Sequence, residues 1–330
     1  MTACSQNMMG IWMKKILTQS SDGLQKAQQV ADRMSQAEEL LLKRTCDGLT
    51  KVLQLISESL IISAHSEKLM AMKDEALMLQ RYEEVINFSE QTMGHAEVNA
   101  LSSGVNLQPN KEDNSVNLQF FLLYRWRWLL KARANFYLGR LDQAFELLKK
   151  LEQGKSIVDK DSSNSDSSTS LYASICELLR LKAAGNQAFK EERHLDAIKH
   201  YSAVLAFNIE SRPFAAICLC NHAAAYQAVG QITDAIADCS VAIALDATYP
   251  KALSRRASLY ERITDYEQAS NDLRRLVSLL EKQIKVKDNQ AGTLESAVPN
   301  QSDLCQARLR LSITEEEARK DIPLDMYLIL

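Results

Sequence analysis

Lys182 and Asn186 stand four residues apart, as do Lys251 and Arg255, and Asn221 follows Asn186 by 35 residues and precedes Arg255 by 34. A four-residue step along a helix returns to the same face, so each pair points its polar ends in one direction. Two amides, two ammoniums and one guanidinium form a set rich in donors. Its chemical complement is two carboxylates held close together, which charge-assisted hydrogen bonds can grip from several sides. The simplest such object is the C-terminal α-carboxylate of a polypeptide next to an acidic side chain. Single Lys, Arg and Asn residues are common on solvated helix faces, so the weight lies in the shared frame of five.

That frame is a repeat. The segments 183–208, 220–246 and 254–280 each read as a helical pattern, a short turn and a second helical pattern. The alanines opening the second helices, Ala197, Ala235 and Ala269, are separated by 38 and 34 residues, and the extra four fall in the connector at 209–214, where an insertion costs little. The unit is therefore about 34 residues, the tetratricopeptide length. Upstream, 123–152 puts Ala144 in the anchor place, 66–93 puts Val85 there, and a degenerate unit anchored at Val52 precedes them. Antiparallel helices approach closely where a small side chain faces a large one, and Ala223 with Tyr226 and Ala257 with Tyr260 fit that use. The expected fold is all-α, a right-handed α-α superhelix of about six helical hairpins, each burying its apolar face against its neighbours, with the first helices lining the concave side.

Composition agrees. Five prolines and ten glycines in 330 residues are well below average usage of about 5% and 7%, which favours helices over most all-β folds. All five prolines, at 109, 213, 250, 299 and 323, fall in joints or at helix starts of this register. The expected organisation is a helical N-terminal segment with the degenerate unit at 1–65, repeat units at 66–152 with a polar insertion at 94–118, and a Ser/Asp-rich linker at 153–177. A three-unit body at 178–284, a linker at 285–306 and a helical tail at 307–330 follow.

At the five polar residues, the chain resembles tetratricopeptide co-chaperones that grip the terminal Glu-Glu-Val-Asp of Hsp70 and Hsp90 in a two-carboxylate clamp. The resemblance covers 178–284, about a third of the chain, and all five positions match in type and spacing. It implies that Lys182, Asn186 and Asn221 hold the terminal carboxylate, while Lys251 and Arg255 take a side-chain carboxylate and a peptide carbonyl. Phe189 and Ala224 would border an apolar pocket for the Val. The tail 307–330 resembles the lead-in of a J domain, as in plant-type tetratricopeptide J-proteins. Asp325, Tyr327 and Leu330 match the D-x-Y-x-x-L opening, and the chain is expected to be cut off there, because no His-Pro-Asp triplet follows to stimulate an ATPase. The expected role is a binding adaptor with Hsp70 or Hsp90 tails as partners, the N-terminal units holding clients; the rival is a scaffold for an internal segment of a partner, or for RNA.

Other chemistry has little support in the residues. A net charge of −3 gives no global pull toward nucleic acid or acidic membrane. Arg125-Trp126-Arg127-Trp128 interleaves rings and guanidiniums as a nucleic-acid site would, but without a wider basic field. Cys218, Cys220, His222 and Cys239 lack a C-x-x-C pair and read as core residues rather than metal ligands. There is no phosphate loop, dinucleotide glycine set, H-E-x-x-H or nucleophile elbow, and His65, His95, His194 and His200 read as surface or loop residues. No enzyme activity, metal or cofactor is therefore expected. Seven scattered cysteines read as reduced thiols, and with no signal peptide and no apolar run of about 18 residues the expected compartment is the cytoplasm, with the nucleus possible.

Overall fold

Alanine-rich seams and tight turns at a fixed place in each unit give the chain its architecture, seen here in a computed structural model. The structure describes residues 3–43, 46–79, 81–95, 114–158, 167–207, 210–289 and 301–320. Among them it is helical without strands. The helices are α1 (Ala3–Lys43), α2 (Cys46–Ile62), α3 (Glu67–Leu77), α4 (Tyr82–Gln91), α5 (Asn114–Tyr137), α6 (Leu141–Val158) and α7 (Ser167–Lys190). They continue as α8 (His194–Ala206), α9 (Arg212–Ala228), α10 (Ile232–Leu245), α11 (Pro250–Arg262), α12 (Tyr266–Asn289) and α13 (Gln301–Lys320). Successive pairs from α1/α2 to α11/α12 are the six expected hairpins, and α13 stands alone after them.

All six anchors, Val52, Val85, Ala144, Ala197, Ala235 and Ala269, have no exposed surface. Four hairpins turn in the same way. Gly139, Glu192, Gly230 and Thr264 each lie five residues before their anchor and adopt positive φ, at 77°, 60°, 85° and 61°. In the last three hairpins, the amide of that residue donates to a carbonyl three residues back. The amide of the next residue reaches five back, Arg193 to Ala188, Gln231 to Tyr226 and Asp265 to Tyr260. This is the paired C-cap that satisfies the orphan carbonyls of the first helix, and it sets the angle at which the second returns. Pro213 and Pro250 sit in the first turns of α9 and α11, where a missing N–H costs nothing.

The chain forms two compact units, Met1–Asn135 with Gln143–Ser170, and Phe136–Asp142 with Leu171–Leu330. In the first, Ala37, Leu49, Val52, Leu55, Ile56, Leu69, Met72 and Ala76 make one core, and Leu77, Val85, Leu130 and Ala134 another. A carboxyl and a guanidinium are buried with them. Asp74 accepts from Ser89 Oγ at 2.8 Å, and burial raises its carboxyl to about 7. Arg127 has a side chain only 1% exposed, pairs with Glu67 at 2.8 Å and donates through Nε to Thr92 at 3.2 Å. Arg127 is thus an interior residue of this unit and does not face outward with Arg125 as a nucleic-acid site would need. His65 and His95 face each other, Nδ1 to Nδ1 at 3.1 Å.

In the second unit, the last two hairpins share a core of Leu219, Cys220, Leu253, Leu273 and Leu276, which Leu304 and Ala307 of α13 complete. The expected boundaries are therefore corrected. The linker expected at 153–177 is helical up to Val158 and again from Ser167, and the linker expected at 285–306 is helical up to Asn289 and from Gln301. The body expected at 178–284 extends at both ends, because α7 begins upstream and α13 packs on it. The insertion expected at 94–118 lies largely outside the described residues, as do Asp325, Tyr327 and Leu330.

Candidate functional site

The five polar candidates come from three successive first helices of the second unit: Lys182 and Asn186 from α7, Asn221 from α9, Lys251 and Arg255 from α11. Asn186 and Asn221 meet, the Asn221 amide nitrogen lying 3.4 Å from Asn186 Oδ1. That oxygen also accepts from the Tyr201 hydroxyl at 2.7 Å. Arg255 Nη1 donates to the Cys220 carbonyl at 2.7 Å, tying α11 to α9 one residue before Asn221. Lys182 Nζ stands 5.4 Å from the centre of the Phe214 ring of α9, and Lys251 is exposed.

The charges converge on one stretch of α9. Burial raises the Cys218 thiol to about 12 against the opposing field of Lys182. It raises Cys220 as well, against Arg255 and Lys251 and a hydrogen bond with Tyr249. Lys182 from α7 and Lys251 and Arg255 from α11 thus lie near this stretch of α9, next to Asn221, and among the described residues no carboxylate is paired with any of the three. The thiols themselves stay neutral; Cys239, also raised to about 12 by burial, is fully buried beside them. Neutral buried thiols are poor metal ligands and poor nucleophiles. Among the described residues, no three His, Cys, Asp or Glu side chains gather where a metal could bind.

Phe189 and Ala224 are both half-buried. Phe189 packs on Ala188, Ala197, Tyr201 and Ala225 and lies 5.1 Å from the His194 ring, so it serves its own hairpin first. The structure brings the two Asn amides together and the three cations around α9.

Residues that spacing alone did not single out hold the site in shape. Tyr201 is one. Arg256, beside Arg255, turns inward instead and holds Asp272 of α12 with two bonds of 2.7 Å and Ser240 of α10 at 2.9 Å. From α13, Arg310 donates to Ser254, Ser258 and Glu261 along α11 at 2.9 to 3.1 Å. Tyr201 could have been found from its place four residues after the anchor Ala197; the partners of Arg256 and Arg310 are too distant in sequence to read.

One further constellation resembles a nucleophile relay. Ser202 Oγ lies 3.1 Å from His222 Nε2, and His222 Nδ1 lies 2.8 Å from Asp238 Oδ2, though not aligned as a hydrogen bond. Ser202 is in the middle of α8, whose backbone N–H groups are spent on the helix, so the neighbouring amides offer no oxyanion donors. The three side chains link α8, α9 and α10 across the seam between two successive hairpins of the second unit.

No family model matches the chain. Among curated proteins, it is 36% identical to human DnaJ homolog subfamily C member 7 over 91 residues, 28% of this chain and 18% of that protein. It is 32% identical to the Hsp70-Hsp90 organizing protein of Triticum aestivum over 85 residues, 26% of this chain and 14% of that protein. The chain thus spans less than a fifth of the length of either relative. Among solved structures, the TPR domain of P58(IPK) superposes with a TM-score of 0.59 at 13% identity, covering 92% of this chain and 69% of that one. That likeness establishes the fold.

Proposed function

We propose that this chain, a tetratricopeptide-repeat protein related to DnaJ-type and Hsp70–Hsp90-organising proteins, is an adaptor that binds the acidic C-terminal tail of a cytoplasmic chaperone of the Hsp70 or Hsp90 type. The observation that carries the reading is the convergence of Lys182, Lys251 and Arg255 on the stretch of α9 next to the touching amides of Asn186 and Asn221. Amides and cations in one place suit a terminal carboxylate with a second carboxylate beside it, and the names of the relatives point to the same partners.

Lys182, Asn186 and Asn221 would grip the terminal carboxylate; Lys251 and Arg255 would take the neighbouring acidic side chain and a carbonyl. Each charge-assisted bond contributes about 1.5–3 kcal/mol before ordering costs, so a short peptide should bind at roughly micromolar Kd. The role is binding, without catalysis. The first unit carries Ala37, Leu41, Ala71, Trp126 and Leu130 at the places in its own hairpins that correspond, counted from Val52, Val85 and Ala144, to the clamp positions. It would therefore hold something other than an acidic tail, such as a client.

Calorimetry with an acidic pentapeptide ending in Asp, as free acid and as C-terminal amide, tests this. The free acid should bind at least tenfold tighter. Equal affinities would instead support a scaffold that holds an internal segment of its partner.

A further inference from the structure

We infer that Tyr201 is a positioning residue of the site: its hydroxyl fixes the orientation of the Asn186 amide so that the Nδ2 donors face an incoming carboxylate. This rests on the carboxylate-binding reading above. An Asn side chain is nearly symmetric in shape, and an amide free to rotate by half a turn would offer a carboxylate its oxygen as readily as its nitrogen. Here the choice is made from within. Asn186 Oδ1 accepts from Tyr201 at 2.7 Å and faces the Asn221 amide at 3.4 Å, so the oxygen is occupied on the protein side and both N–H groups of Nδ2 are left pointing away.

The donor is itself fixed. Tyr201 is 2% exposed, and its ring lies directly on the backbone of α7 at Gly185, where an added Cβ would come within 2.7 to 3.0 Å of three ring atoms. Only a residue without a side chain lets the phenol lie so close to α7, one position before the amide it holds. Burial raises the phenol to about 12, so it remains a donor at any working pH. Tyr201 is on α8, the second helix of its hairpin, and acts through Asn186 without being one of the five charged or amide groups proposed to touch the peptide.

The test is a double-mutant cycle read by calorimetry on the full chain, with the acidic pentapeptide ending in Asp as free acid and as amide. Tyr201→Phe keeps the ring and removes the hydroxyl. It should weaken the free acid about 3- to 10-fold, the equivalent of one hydrogen bond, and leave the amide unchanged. In an Asn186→Ala background the same substitution should cost nothing further. Full free-acid affinity in Tyr201→Phe, equal weakening of both peptides, or multiplying losses in the double variant would each overturn the inference while leaving the clamp in place. A wild-type chain with no preference for the free acid removes the clamp reading and this inference with it. Thermal melts check folding. Should Tyr201→Phe melt below the assay temperature, the Asn186 side-chain amide signals of the wild type decide: an ordered, slowly exchanging pair that shifts with free-acid peptide supports the assignment, and an averaged pair overturns it.

Discussion

Arg255 Nη1 donates to the carbonyl of Cys220 at 2.7 Å, so the guanidinium on α11 is anchored to the α9 backbone beside Asn221. Its planar fork keeps further donors in a fixed direction, whereas a lysine carries the same charge on a rotating ammonium. Arg255→Lys should therefore weaken an acidic C-terminal peptide roughly 3- to 30-fold, a loss of about 1–2 kcal/mol, despite the conserved charge. Calorimetry at fixed salt measures it; a lysine variant binding as well as the wild type would show that charge alone matters.

Lys251 is exposed and has only long-range influence on its surroundings in the free protein. Its contribution to binding should be mainly Coulombic and screened within about 8 Å at physiological ionic strength. Lys251→Ala should reduce affinity several-fold at low salt, with the difference from wild type shrinking as salt rises toward about 1 M. A gap that persists at high salt would mean that Lys251 makes a desolvated contact.

Much of this was legible in the sequence. The anchors repeat at a fixed spacing because each hairpin needs a small residue at the same crossing, and all six are buried. The meeting of Asn186 and Asn221 was legible for a related reason, since near-equal steps along stacked hairpins bring corresponding positions together. Tyr201 and the Cys220 carbonyl were not, because spacing identifies which residues share a face and says nothing of which backbone oxygen a long side chain reaches. Arg256 looked no different from Arg255, although one turns inward to Asp272 and the other toward α9. The burial of Arg127 was just as hidden: its interleaving with Trp126 and Trp128 does not say which way it points, and its partners Glu67 and Thr92 are 60 and 35 residues away in the chain.

Thr264 and Glu192 occupy the left-handed turn position that Gly139 and Gly230 fill elsewhere, with φ of 61° and 60°. A side chain there is strained, most of all a β-branched one, and both are exposed, so neither gains from burial. Thr264→Gly should stabilise the second unit by about 0.5–1 kcal/mol and Glu192→Gly by less, after allowing for the greater freedom of glycine in the unfolded chain. Far-UV circular dichroism during urea unfolding reads the change; destabilisation by Thr264→Gly would show that its hydroxyl bond to the Ile263 carbonyl outweighs the strain.

Asp74 has no exposed surface, and burial raises its carboxyl to about 7 although Ser89 and Arg127 oppose the rise. A carboxyl with a raised folded-state value binds its proton more tightly folded than unfolded. Its contribution to stability is fully present below about pH 4 and is lost as pH rises through about 7. The first unit should lose stability across that window, by on the order of 1–4 kcal/mol. Asp74→Asn should flatten the profile. All three tryptophans, Trp12, Trp126 and Trp128, belong to this unit, so their fluorescence during unfolding at a series of pH values isolates it. A profile unchanged by the substitution would place the pH dependence elsewhere.

The Arg127–Glu67 pair joins α5 to α3 at 2.8 Å, and its two ends are unequally buried, with side chains 1% and 34% exposed. Trp126 adds to the arrangement, its Nε1 donating to the same carboxylate at 3.3 Å and its ring lying 4.2 Å from the guanidinium. Removing either partner of an ion pair leaves the other charge where it was, and the cost follows how well that charge can rehydrate. A carboxylate one-third exposed rehydrates readily; a guanidinium in the interior does not. Glu67→Ala should therefore destabilise the first unit by about 3–5 kcal/mol, whereas Arg127→Met, which replaces the cation with an apolar side chain of similar length, should cost less than about 2 kcal/mol. Urea unfolding followed by tryptophan fluorescence measures both. The reverse order, with Arg127→Met the more damaging, would mean that the guanidinium's contacts with Thr92 and the Met70 sulfur, rather than its pairing with Glu67, hold α5 against α4 and α3.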